Sequence, residues 1–175
     1  YFFRTIPTDA YEGAFMARFV NSHRVNRIAI FAVNDTGTKS LADAFQAEFL
    51  RLGGKVVEYV LAPKDANDLR TQVTALRAAS AQAVYAVGYA AETGMFLRQA
   101  HELGLGLPLY SAHPAEAPDV RSIAGSAADG LVFSTPANAR DSEPGKRFAV
   151  AYRARYSEEP GEFAAEAFDA ATLVL

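Results

Sequence analysis

The chain reads as an α/β fold: a doubly wound, mainly parallel five-stranded sheet with helices on both faces. Two observations carry this. Five short runs are almost continuously apolar, at 28–33, 56–61, 83–88, 107–111 and 131–134, as expected of strands covered on both sides. Amphipathic stretches with short loops separate them, and this strand–helix alternation is the mark of a doubly wound lobe.

The helices follow in order. Asp9 with Glu12 three residues on resembles a capping box, and Tyr11, Phe15 and Phe19 recur at spacing four, so a helix carrying an aromatic stripe is expected there. Leu41, Phe45, Phe49 and Leu52 form a second stripe, closed by Gly53-Gly54, the usual stop signal. Leu69, Val73 and Leu76 form a third, and Phe96, Ala100 and Leu103 a fourth that starts at Glu92 and ends at Gly104. After Ser134 the pattern changes. A linker-like Thr135-Pro136-Ala137-Asn138 precedes two helices with no strand between them. One starts near Ser142-Glu143-Pro144 and carries Phe148, Tyr152 and Tyr156; the other starts near Gly161 and carries Phe163, Ala167, Phe168 and Ala171. Two successive helices do not continue the alternation, so they are expected to belong to another structural unit. The ends, Tyr1-Phe2-Phe3-Arg4 and Ala171-Thr172-Leu173-Val174-Leu175, read as interrupted elements rather than frayed termini. A piece of a longer protein is expected.

Composition narrows the function classes. The 175 residues are half hydrophobic, which is enough for a sizeable core, and the net charge of −3 shows no basic patch. Nucleic acid is therefore not an expected partner. With no cysteine, disulfides, thiol catalysis and cysteine-ligated metals are excluded. No apolar run approaches the roughly 18 residues of a membrane span. There is no G-x-S-x-G elbow and no phosphate loop, and Gly104-Leu105-Gly106 precedes a strand instead of following one, the wrong side for a dinucleotide. The three histidines do not form a metal-ligand pair. No cofactor or metal is expected.

Open α/β sheets bind ligands beyond the carboxyl ends of their strands. Here those ends are 34–37, 62–63, 89–91 and 112–114. Asn34 and Thr36 offer short polar groups. Tyr89, followed by Ala90, offers a ring and a hydroxyl on the turn into a helix, the mixture a recognition site uses.

These residues carry a family resemblance. GYAAETGMFLRQAHELGL followed by AGSAADGLVFSTP resembles the periplasmic branched-chain amino-acid binding proteins of ABC importers, which have the type I periplasmic binding fold, and would be a second-lobe fragment of one. FRTIPTDAYEGAFMARFV, LAPKDANDLRTQVTALRAASAQAVY and GEFAAEAFDAATLVL are similar to further segments of that family, in the same order. The resemblance implies a two-lobed clamshell. Residues 1–137 would form the second lobe, and 138–175 would return to a first lobe that lies outside this sequence. It implies binding of an amino acid or a related small carboxylate or amide in an interlobe cleft, no catalysis, a membrane permease as partner, and a periplasmic or extracellular location.

At the site, the resemblance places Tyr89 against the solute; the alternative is that it covers a helix N-terminus. Phe163 matches a cleft aromatic or is core packing. His113 stands where amino-acid binders carry the acid that meets the ligand ammonium, or else it is a surface loop residue, with Glu116 the nearest acid in sequence. No aromatic stands in Asn34-Asp35-Thr36-Gly37, where family members often carry Tyr-Gly. Both departures favour a ligand other than a leucine-like zwitterion: an amide, an aromatic or other carboxylate, or a more polar amino acid. Two other readings remain open: a ligand-sensing domain of a receptor or regulator, and a hydrolase on a related fold with Asp35 or His113 catalytic and Ser111 as the nearby hydroxyl.

Overall fold

A computed structural model describes residues 4–136, 142–161 and 163–173. The elements run α1 (Asp9–Ser22), β1 (Arg27–Val33), α2 (Thr36–Arg51), β2 (Lys55–Ala62), α3 (Arg70–Ala78), β3 (Ala83–Val87), α4 (Ala90–Glu102), β4 (Leu109–Ser111), α5 (Pro118–Ala124), β5 (Val132–Phe133), α6 (Glu143–Tyr156) and α7 (Ala164–Thr172). Two compact units result: Asp9–Ser134, and the described parts of 1–8 with 135–175. The boundary expected at 137/138 lies outside the described residues, as do residues 1–3 and residues 174 and 175, on which the expected interrupted elements at the two ends partly fall.

The first unit is a five-stranded sheet in the order β2-β1-β3-β4-β5, with every pairing parallel. Successive strand residues face opposite sides. Ile28, Ile30, Ala32, Ala83, Tyr85 and Val87 therefore meet Met16, Ala17 and Val20 of α1 and Leu41, Phe45 and Phe49 of α2. Ala29, Phe31, Val33, Val84 and Ala86 meet Val73 and Leu76 of α3, Phe96, Leu97 and Ala100 of α4, and Val120 of α5. Both faces are covered, which is why the strands read as continuous apolar runs. The two edge strands are the exceptions: β2 has mostly half-buried side chains, and in β5 Val132 is exposed and Phe133 half-buried.

Several expectations need correction. Of the aromatic stripe on α1, Phe19 packs against the core, but Tyr11 is 63 % and Phe15 51 % exposed, and Met16, Ala17 and Val20 are the buried residues. The reason is close approach. A Cβ on Gly13 would sit 2.6 Å from the Leu41 carbonyl oxygen and 2.7 Å from the Phe45 nitrogen, so the small side of α1 lies against α2. Glu12 does not close a capping box either; its carboxylate meets residues after β4 and β5. α4 begins at Ala90, two residues before the expected Glu92, and β4 and β5 are shorter than their apolar runs. The connection between them holds a 3-10 turn (His113–Glu116), α5, and a second 3-10 turn (Gly125–Ala128). None of these was visible in the sequence, because each is too short to show a period.

In the second unit, Ser142 caps α6 by accepting from the Gly145 N–H at 3.1 Å. Phe148 and Tyr152, and Tyr152 and Tyr156, pack ring to ring along one face, as their spacing predicts. Phe148 also meets Phe168 of α7 at 5.4 Å, and the Thr5 hydroxyl donates to the Glu166 carbonyl at 2.8 Å.

Candidate functional site

The strand order reverses direction between β1 and β3, because the chain leaves β1 towards β2 and leaves β3 towards β4. At such a switch point the loops diverge and leave a crevice at the carboxyl edge of the sheet. Two side chains bridge its mouth. Asp35 follows β1 and caps α2, accepting from the Gly37 N–H at 3.0 Å. Tyr89 follows β3 as the residue before α4, and its hydroxyl donates to the same Asp35 oxygen at 2.6 Å. The Lys64 ammonium, on the loop after β2, lies 3.8 Å from the other Asp35 oxygen and 5.6 Å from the centre of the Tyr89 ring. That loop is held from α4, where the buried Glu92 accepts from the Asp65 N–H at 3.1 Å.

The electrostatics follow from these contacts. The Tyr89 hydroxyl bond, the Gly37 N–H and the Lys64 charge hold the Asp35 carboxyl below its ordinary range. The same bond to Asp35, aided by desolvation, pushes the Tyr89 phenol up. At neutral pH the phenol stays protonated and anchored by its hydroxyl. The residue remains 41 % exposed. An anchored, exposed aromatic beside a lysine offers a flat apolar surface without further loss of side-chain freedom. Asn34 and Thr36 are exposed beside it, and both line a cavity of about 520 Å³ together with Asp35, Lys39, Ser40 and Asp43. Ala90, half-buried, begins α4.

A second cluster occupies the carboxyl ends of β4 and β5. Glu12, only 8 % exposed, accepts from the His113 N–H at 2.8 Å and from the Ser134 hydroxyl at 2.7 Å, both on Oε1. Its Oε2 lies 2.6 Å from His113 Nδ1. Burial alone would push the Glu12 carboxyl up; the bonds from His113 and Ser134 and the attraction of His113 outweigh it and hold it low. The acid beside His113 therefore comes from α1 rather than from Glu116. Sequence reasoning missed Glu12, since it lies 101 residues from His113. The available signal was a glutamate on the same side of a helix as the small residues Gly13 and Ala17.

A stability prediction follows. A carboxyl whose folded pKa is depressed contributes stability above its unfolded value, about 4.3 for glutamate, and that contribution is lost as pH falls through the folded value. The stability gap between wild type and Glu12→Gln is expected to be widest near neutral pH and to narrow on acidification, as urea unfolding at a series of pH values will show. A gap independent of pH would contradict this assignment.

Asn34 and Thr36 thus line the cavity, Tyr89 reaches its edge through Asp35, Ala90 begins the adjoining α4, and His113 follows β4 at the same sheet edge. Phe163 belongs to the other unit, where it precedes α7 with φ 59°, a left-handed conformation. Among the described residues no group of three or more His, Asp or Glu side chains is placed to hold a metal ion.

Comparison with known proteins agrees with this architecture. A Leu/Ile/Val-binding protein homolog from Brucella melitensis is 29 % identical over 155 residues, covering 87 % of this chain and 42 % of that protein. The crystal structure of the leucine-binding protein LivK from Thermotoga maritima superposes with a TM-score of 0.85 at 28 % identity, covering 97 % of this chain and 49 % of that one. LivJ from Streptococcus pneumoniae, solved in complex with isoleucine, superposes with a TM-score of 0.78 at 25 % identity, over 95 % and 48 % of the two chains. The chain thus spans somewhat under half the length of these relatives. The family model described as periplasmic binding protein matches residues 1–175, and the chain belongs to that family.

Proposed function

We propose that the protein carrying this chain is the solute-binding component of an ABC importer, working in the periplasm or outside the cell. It binds an amino acid or a related small carboxylate or amide in a cleft. This chain contributes one wall of that cleft, a second lobe the other, and the loaded form engages a membrane permease. The protein catalyses no reaction. The observation that carries the reading is Tyr89, half-exposed at the switch-point crevice with its hydroxyl pinned by Asp35. Support for the solute class comes from relatives named for leucine, isoleucine and valine. Glu12 also restores an acid to the β4 end, so an ammonium there has a carboxylate within the same cluster. The sequence argument against a leucine-like zwitterion loses that premise.

A thermal-shift screen of the full-length gene product tests this. Leucine, isoleucine, polar amino acids, their amides and aromatic acids are the set to use. At least one is expected to raise the melting temperature in a concentration-dependent way, since a ligand that binds only the folded state stabilises it by mass action. No shift with any of them would sink the reading.

A further inference from the structure

We infer that Glu12 is the positioning residue for His113: it holds the ring with Nδ1 protonated and ties the loop after β4 to Ser134, so that His113 addresses a solute through Nε2. The inference deepens the solute-binding reading and rests on it for what the ring faces.

The geometry supplies the argument. Oε2 of Glu12 and Nδ1 of His113 are 2.6 Å apart, a distance that two lone pairs do not tolerate, so one proton lies between them. Imidazole, with an ordinary pKa of about 6.5, is far more basic than a glutamate carboxyl at about 4.3. The proton therefore resides on nitrogen. Oε1 accepts two further bonds, from the His113 backbone N–H and the Ser134 hydroxyl, which suits an ionised carboxylate. The backbone bond matters separately. It fixes where the ring is attached as well as how it is turned. With Nδ1 committed, any contact the ring makes elsewhere goes through Nε2 or a carbon edge. Asp9 and Ser134 open and close this unit in sequence, so one carboxylate near the start of the unit joins its last residue to the β4 loop.

The test is ring-nitrogen NMR on the ¹⁵N-labelled full-length protein; the His113 signals are identified by their loss in His113→Gln. In wild type, Nδ1 is expected to be a protonated nitrogen. In Glu12→Gln the amide oxygen takes over the two bonds on Oε1 and the NH₂ faces the ring, so Nδ1 is expected to become the unprotonated nitrogen. Ser134→Ala is expected to keep the wild-type pattern. A merely structural role for Glu12 would not move the tautomer. An unprotonated Nδ1 in wild type overturns the inference even if Glu12→Gln does not fold, and an unchanged ring in a folded Glu12→Gln overturns it too. In the full-length protein, Glu12→Gln is expected to weaken whichever of leucine or benzoate binds by about fivefold, the net worth of one hydrogen bond; unchanged affinity refutes the positioning role. Failure of every solute to bind would instead refute the solute-binding reading, and leave the ring result as it stands.

Discussion

Phe45→Ala is expected to destabilise the first unit by about 3–5 kcal/mol, the cost of removing a fully buried phenylalanine. Phe45 lies under the sheet at its centre. Its ring stacks on Tyr85 of β3 at 4.1 Å and on Phe49 of α2 at 5.5 Å. All three are completely buried. Truncation leaves a cavity bounded by two rigid rings and by sheet backbone, so little can collapse into it. The Tyr85 hydroxyl, buried without a hydrogen-bond partner among the described residues, gains room beside it but no partner. Urea unfolding should show a lowered midpoint with an unchanged slope. A loss below about 1 kcal/mol would mean that the α1–α2 face is looser than its packing indicates.

Gly13→Ala is expected to be destabilising by about 1–3 kcal/mol, although alanine normally improves a helix by about 1 kcal/mol over glycine. The added methyl would meet the Leu41 carbonyl oxygen at 2.6 Å, the Phe45 nitrogen at 2.7 Å and the Ala44 Cβ at 2.8 Å. Two of these are backbone atoms inside α2 and cannot rotate away, so α1 must lift. That movement would also draw Glu12, the next residue towards the N-terminus, off His113 and Ser134. The variant should therefore lose acid sensitivity together with stability. A stabilised Gly13→Ala would show that α1 does not approach α2 this closely.

Much of the fold was legible because it rests on local periodicity. β1 and β3 are covered on both faces and announce themselves as apolar runs. Phe45 and Phe49 recur at helical spacing with a glycine stop behind them. What was not legible depends on approach distances or on partners remote in sequence. Tyr11 and Phe15 obey the spacing rule as well as Met16 and Val20 do; only the fit of Gly13 against α2 decides which side faces inward. The short helices between β4 and β5 are set by Pro118 at a helix start and by tertiary contact, not by a repeating pattern.

The site divides in the same way. Tyr89 was readable as a residue on a strand-to-helix turn. Its anchor, Asp35, was not, because the two lie 54 residues apart and meet only through the parallel pairing of β1 with β3. Ser134 lies 122 residues from Glu12, and nothing in the sequence near either residue announces the other.

The claim that the crevice between β1 and β3 is a solute-binding wall is tested most directly by calorimetric titration of the full-length protein with the solute found in the screen, comparing wild type with Tyr89→Ala. Tyr89 is exposed and its hydroxyl bonds to a half-buried aspartate at the surface, so the substitution should leave the melting temperature of the free protein nearly unchanged. Saturable one-site binding to wild type, weakened about tenfold or more in Tyr89→Ala by loss of roughly 1.4 kcal/mol of ring contact, is the expected result. Equal affinity in the two proteins would contradict the account.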